Sequence, residues 1–91
     1  MKFSVDISET AEKDLDSFDK KTCSIMLKKL LKVAENPQHF LERLSGYTLY
    51  KLRCGDYRAV IRVDTAKNIL QVVMVDHREN IYKRLQKLIG K

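Results

Sequence analysis

Residues 49–63, LYKLRCGDYRAVIRV, hold Lys51, Arg53, Arg58 and Arg62 among apolar and aromatic side chains in a pattern that suits a β-hairpin. Gly55-Asp56 fits a two-residue turn with glycine at the first central position, where φ is positive. Counting outward, Cys54 faces Tyr57, Arg53 faces Arg58, Lys51 faces Val60 and Leu49 faces Arg62. Side chains alternate along a strand, so Tyr50, Leu52, Cys54, Tyr57, Ala59, Ile61 and Val63 share one face, and the four cations take the other. Like charges opposed across a strand pair destabilise it, so Arg53 against Arg58 calls for an anion or for abundant water. Guanidinium forks match phosphate oxygens in two-point contacts and stabilise charge that grows during attack on phosphorus. A solvated sheet face that keeps the chain soluble is the plainer alternative.

His77, Arg78 and Tyr82 form a second group after the last strand, with Arg78 and Tyr82 four apart on one face of a helix. By parity with Val73 and Val75, His77 is expected on the side of the sheet that bears Arg58. A phenol is a weak base at its ordinary pKa near 10, but cations beside it favour the ionised form. Such a group could take the proton of a ribose 2′-hydroxyl while arginines hold the phosphate. Alternatively, Tyr82 covers the edge of the core and His77 bonds a backbone carbonyl at a strand end. Asp76 and Glu79 suit capping or ion pairing. His39, His77 and two distant cysteines lack metal-ligand spacing, no carboxylate pair stands in the basic half, and there is no GxGxxG or P-loop. No cofactor is expected.

The elements that must position these groups follow from periodicity. Lys2 to Ile7 alternates and suits a strand. Ser8 caps a helix over about 9–17, with Glu9, Glu12 and Asp14 near its positive end. Cys23, Met26, Leu27, Leu30, Leu31 and Ala34 give the apolar stripe of a helix over 20–35, which Asn36-Pro37 ends. Lys20, Lys21, Lys28, Lys29 and Lys32 are its solvated face. Residues 38–46 form a connection containing a short turn of apolar residues, Phe40, Leu41 and Leu44, and ending at Ser45-Gly46. Strands near 47–54, 57–64 and 69–75 form an antiparallel meander, in which a symmetric turn at Thr65 to Asn68 pairs Ile61 with Val72 and Arg58 with Val75. Ile81, Leu85 and Leu88 mark a last short helix with Lys83, Arg84 and Lys87 exposed. Val60, Val73 and Val75 lie on the otherwise polar face, so the last helix is expected to cover part of it. The order is β-α-α-β-β-β-α, an α+β fold in which an N-terminal helical hairpin packs on a small antiparallel sheet.

The chain of 91 residues, 44% hydrophobic and 33% charged, is of a size for one domain over 1–91. Residues 1–46 carry 8 Lys/Arg against 8 Asp/Glu, whereas residues 47–91 carry 10 against 4, so the net +6 belongs to the half with the hairpin. This field favours nucleic acid, an acidic protein or an anionic surface. The longest apolar runs, near Val72 to Val75, are strand-sized, which argues against a membrane span, and MKFSVDIS lacks a signal-peptide core. Cys23, expected in the core, and Cys54, half-buried, suit reduced thiols of an intracellular protein.

Taken together, KLRCGDYRAVIRVD and VVMVDHRENIYKR, after a helical hairpin that ends in ENP and LSG, resemble the RelE/ParE superfamily of prokaryotic toxins, the RelE branch in particular. The resemblance spans nearly the whole chain in element order. It implies a RelE-like toxin of a type II toxin–antitoxin module in the cytoplasm, a metal-independent endoribonuclease that cleaves messenger RNA in the ribosomal A site. The implied partners are a RelB-like antitoxin, an acidic protein with helical segments that covers the basic face or displaces the last helix, and the ribosome with its mRNA. Carried over by position, Lys51, Arg53 and Arg58 bind the phosphate and the transition state, while Tyr82 and Arg78 share proton transfer. Arg62, His77 and Lys83 join Lys51 and Arg53 in holding RNA. Leu49 stands where some RelE toxins have a further lysine, which weakens the phosphate site. A ParE-like inhibitor of DNA gyrase and a non-catalytic RNA-binding module are the alternatives.

Overall fold

The computed structural model describes residues 2–44 and 49–89, Ile89 by its backbone only. The elements run β1 (Ser4–Ile7), α1 (Glu9–Asp16), α2 (Lys20–Glu35), α3 (Pro37–Phe40), β2 (Glu42–Arg43), β3 (Leu49–Cys54), β4 (Tyr57–Asp64), β5 (Ile69–His77) and α4 (Arg78–Ile89). The sheet order is β1-β5-β4-β3-β2, and β3, β4 and β5 form the expected antiparallel meander. The sheet is not wholly antiparallel, because β1 joins the β5 edge in parallel, Ser4 beside Ile69 through Ile7 beside Val72. This pairing is permitted because the long α1–α2 excursion lets the chain return in the same sense.

Local chemistry sets the ends. The Ser8 hydroxyl accepts from the Ala11 N–H at 3.1 Å and so caps α1, while also donating to the Val73 carbonyl at 2.8 Å. Pro37 stops α2 and, having no N–H to place, opens α3 at its first turn. The short turn expected in this connection is α3, which starts at Pro37, and it is followed by β2, which is too short to leave a periodic signal. Ser45-Gly46 lies outside the described residues. Gly55 at φ 61° makes the β3–β4 turn, and its Cβ position is open space.

Two apolar clusters sandwich the sheet. On one face α1 and α2 bury Ala11, Leu15, Met26, Leu30, Val33 and Ala34 against Leu52, Ala59, Ile61, Leu70, Val72 and Val75. On the other, Ile81 and Leu85 of α4 cover Leu49, Val60 and Met74. Each such side chain contributes about 1.5–3 kcal/mol by leaving water, so α4 is held to the sheet mainly by two residues. The stripe expected on α2 is displaced: Val33 is buried, whereas Leu27 and Leu31 are exposed. Leu27 and Leu31 line an open cleft with Leu15 and Phe18. Cys23 is half-buried, packed against the edge of the α1/α2 core and lining the cleft. Cys54 is half-buried as expected, and burial pushes its thiol up. No helix among the described residues is long and apolar enough to cross a membrane.

A register shift matters more for the site. Ile61 pairs with Val72 as expected, but Val60 pairs with Met74, so Val73 is an extra residue on β5 and Arg58 faces Asp76 instead of Val75. Beyond the bulge the faces exchange. Val75 points into the α1/α2 core, and His77 pairs with Tyr57 on that same side.

Candidate active site

Strand β3 carries Lys51 and Arg53 toward α4, and β4 carries Arg58 beside Arg53 as the hairpin count requires. Tyr82, one residue after the buried Ile81, emerges from α4 above them. The Lys51 Nζ donates to the Tyr82 Oη at 3.2 Å and lies 5.5 Å from the ring centroid. Apolar Leu44, Val60, Ile81 and Leu85 line the floor beneath that pair.

Arg58 is only 7% exposed. Its Nη1 donates to the Gly55 and Tyr57 carbonyls, each at 2.8 Å, so the turn fixes its guanidinium. No ion pair to Lys51, Arg53 or Arg58 occurs among the described residues. A buried cation without a carboxylate is costly, and an incoming anion removes that cost. The hydrogen bond from Lys51 is the largest influence on Tyr82, outweighing desolvation; the Lys51 charge and the Arg58 hydrogen bond and charge add to it. Together they hold the phenol below its usual value. Tyr82 remains 44% exposed, so its oxygen is open to a substrate.

The remaining expected residues spread outward from this cluster. Arg53 is exposed next to Arg58. Arg78 opens α4 at the β3–β4 turn, its backbone N–H donating to the Asp56 carbonyl at 2.8 Å and its Nε lying 3.9 Å from the Asp56 carboxylate. Arg62 shares the cationic face but lies beyond Val60 and donates to Gln71 at 3.2 Å. Lys83 is exposed on α4. His77 does not join them. The bulge turns it to the opposite face, where its ring meets Tyr57 edge-on at 5.5 Å and its Nδ1 accepts from the Glu79 N–H at 3.2 Å. It caps the start of α4, a variant of the strand-end role.

Arg84, expected in solvent, is instead half-buried. Its Nη1 donates to Asp14 at 3.1 Å and to Asp76 at 2.9 Å. The only hint in the sequence is that Arg84 lies three residues after Ile81, at the margin of the buried stripe; its partner Asp14 is too distant in the chain to suggest itself.

Residues 5–82 match the family model described as the ParE toxin of type II toxin–antitoxin systems, parDE. Among solved structures the chain is similar to the free-state E. coli toxin RelE with two arginines replaced by alanine, at 30% identity, covering 98% of this chain and 99% of that one, with a TM-score of 0.78. It is also similar to the toxin of the archaeal RelE–RelB complex from Pyrococcus horikoshii OT3, at 25% identity, 86% and 97% coverage and a TM-score of 0.73. The chromosomal ParDE system of P. aeruginosa, at 16% identity, 82% and 95% coverage and a TM-score of 0.68, shares the fold. No curated protein sequence matches comparably. With the family model reaching from β1 through Tyr82, the chain belongs to the RelE/ParE superfamily of toxins of type II toxin–antitoxin systems.

Proposed function

We propose that this toxin is a RelE-type endoribonuclease that cleaves messenger RNA on the ribosome, with no metal. The observation that carries this reading is the Tyr82 phenol held at 3.2 Å from the Lys51 ammonium, next to a buried and carboxylate-free Arg58. In the reaction, the phenolate of Tyr82 takes the proton of the ribose 2′-hydroxyl, and the 2′-oxygen bonds to phosphorus. The bond from phosphorus to the 5′-oxygen breaks, and that oxygen, hydrogen-bonded by Arg78, takes a proton from solvent. Lys51, Arg53 and Arg58 hold the phosphoryl oxygens as charge builds on them. At a guanidinium's pKa, Arg78 serves as a hydrogen-bond donor rather than as an acid. Arg62 and Lys83 extend the cationic surface along the RNA.

Purified protein added to programmed ribosomes should cut the message and leave a 2′,3′-cyclic phosphate and a 5′-hydroxyl; an intact message refutes the proposal. The match to the ParE model favours gyrase inhibition as a second reading. Loss of supercoiling without ribosomes would select it, and steeply salt-dependent RNA binding without cleavage would select a binding module.

The partner in the cytoplasm is an acidic, partly helical antitoxin, in keeping with the RelB-bound state of several similar structures. It covers the Lys51–Arg58–Tyr82 face or displaces α4, so a saturated complex should not cleave.

A further inference from the structure

Strand β1 ends at Ile7, beside Val72, so the edge of β5 is unpaired from Val73 onward. Side chains finish that edge. Ser8 takes the Val73 carbonyl, the Asp14 Oδ2 accepts from the Val75 N–H at 3.0 Å, and the Arg84 Nη1 lies 3.5 Å from the Val75 carbonyl. Arg84 thus reaches round the sheet edge from α4 to meet Asp14 of α1 on the far side, and it also holds Asp76. Asp76 in turn accepts from the His77 N–H at 2.7 Å and from Asn80 at 3.4 Å, so three elements meet in one ionic knot.

Building on the proposed nuclease reading, we propose that Arg84 is a positioning residue: its bridge from Asp14 to Asp76 sets how α4 lies on the sheet, and so where Tyr82 meets Lys51 and Arg58.

Helix geometry supplies the first reason. At 3.6 residues per turn, Tyr82 and Arg84 project about 80° to either side of the Ile81/Leu85 ridge. Apolar contact is non-directional, so that ridge alone lets α4 roll. A roll of about 20° carries a side-chain tip at about 6 Å radius through about 2 Å, enough to break the hydrogen bond between Lys51 and Tyr82. Arg84 lies on the flank opposite Tyr82, and its hold on Asp14 and Asp76 resists that roll.

The second reason concerns charge. Asp76 lies directly across from Arg58 on the same face, close enough in register to neutralise it. Its carboxylate turns to Arg84 instead. Arg84 thereby keeps Arg58 free for phosphate. Desolvation disfavours the Asp76 anion, yet the hydrogen bonds from Arg84, the His77 N–H and Asn80, with the Arg84 charge, hold its carboxyl below the usual range. Among the described residues, the charged groups that act on Tyr82 from neighbouring strands are the cations Lys51 and Arg58; on the same sheet face Arg53 lies beside Arg58 and the Glu42 carboxylate stands across from Lys51.

The test uses Arg84→Ala and Arg84→Lys. Folding is checked by circular dichroism, and phenolate absorbance is titrated with Tyr82→Phe as the reference that isolates the Tyr82 signal. In Arg84→Ala the Tyr82 titration should move up toward an ordinary tyrosine, and kcat on programmed ribosomes should fall about tenfold or more with KM nearly unchanged, as misplacement of a reacting group requires. Arg84→Lys, which retains the charge, should restore part of both. If Arg84→Ala fails to fold, the lysine variant carries the same comparison with a smaller shift. A folded variant whose Tyr82 titrates as in the unaltered protein overturns the proposal. The titration needs no ribosome, so a shift without any cleavage refutes the nuclease reading and leaves the positioning role standing.

Discussion

Tyr82→Phe removes one oxygen and keeps the ring that sits at the edge of the floor formed by Leu44, Val60, Ile81 and Leu85. The oxygen accepts a hydrogen bond from Lys51 at 3.2 Å, with a weaker influence from Arg58, and the residue is 44% exposed. A hydrogen bond of that kind contributes less than about 1 kcal/mol to folding once water competes for both partners. The melting temperature of the variant should therefore fall by no more than about 8 °C, the upper value for 1 kcal/mol in a domain of this size. The chemical cost is far larger if the phenolate is the base. Loss of a positioned proton acceptor costs about 10²–10⁴ in rate, or roughly 3–5 kcal/mol of barrier. The same oxygen thus weighs several times more in the transition state than in the fold.

Single-turnover cleavage on programmed ribosomes at saturating toxin measures the barrier, and a parallel thermal melt measures the fold. Lys51 and Arg58 hold the phenol below its ordinary value. The rate of the unaltered protein should therefore rise with pH up to that lowered value and then level off, and Tyr82→Phe should lose this rise together with most of the rate. A folded variant that cleaves within about threefold of the unaltered protein refutes Tyr82 as the base, since no positioned base contributes so little.

Ile81→Ala deletes a side chain that is 1% exposed at the junction of α4 and the sheet, and should cost about 2–5 kcal/mol in urea unfolding; a loss under about 1 kcal/mol would mean that α4 is not held by this ridge. Asp76 has a carboxyl below its usual value when folded, so its contribution is complete above the ordinary carboxylate range and disappears as pH falls through the lowered value. Melting temperatures between pH 7 and 3 should drop more steeply for the unaltered protein than for Asp76→Asn, and parallel curves would reject that linkage. Gly55→Ala should cost about 1–2 kcal/mol from the positive φ alone, because its Cβ meets nothing within 4 Å; an unchanged urea midpoint would refute a backbone origin.

The hairpin was legible because its determinants are local. Gly55 fixes the turn, the turn fixes the register, and Arg53 then stands opposite Arg58 with Lys51 opposite Val60. The cap of α1 at Ser8 and the stop of α2 at Pro37 were equally open to inspection. What could not be read depends on distant partners. The parallel seat of β1 on β5 and the exposure of Leu27 and Leu31 depend on how distant elements come together. Alternation alone, carried past an unseen bulge, put Val75 and His77 on the wrong face. Within the site, parity put Lys51, Arg53 and Arg58 on one face, and the approach of Tyr82 to them was implied only by the family resemblance, whereas Arg84 looked like any solvated cation on an amphipathic helix.

The single extra residue at Val73 ties these successes and failures together. A bulge in β5 leaves everything on its near side in register and exchanges faces on its far side, which is why Ile61 still meets Val72 while Arg58 meets Asp76. With uninterrupted alternation, Val75 would lie under the start of α4 and Asp76 would point into the apolar α1/α2 layer. The bulge sends Val75 into the apolar core and delivers Asp76 to the α4 side, within reach of Arg84. It also sends His77 to the far face, where it caps α4 rather than competing for the phosphate. An irregularity of one residue, invisible in the periodicity, thus decides which side chains flank the cationic face and gives α4 the anchor that Tyr82 depends on.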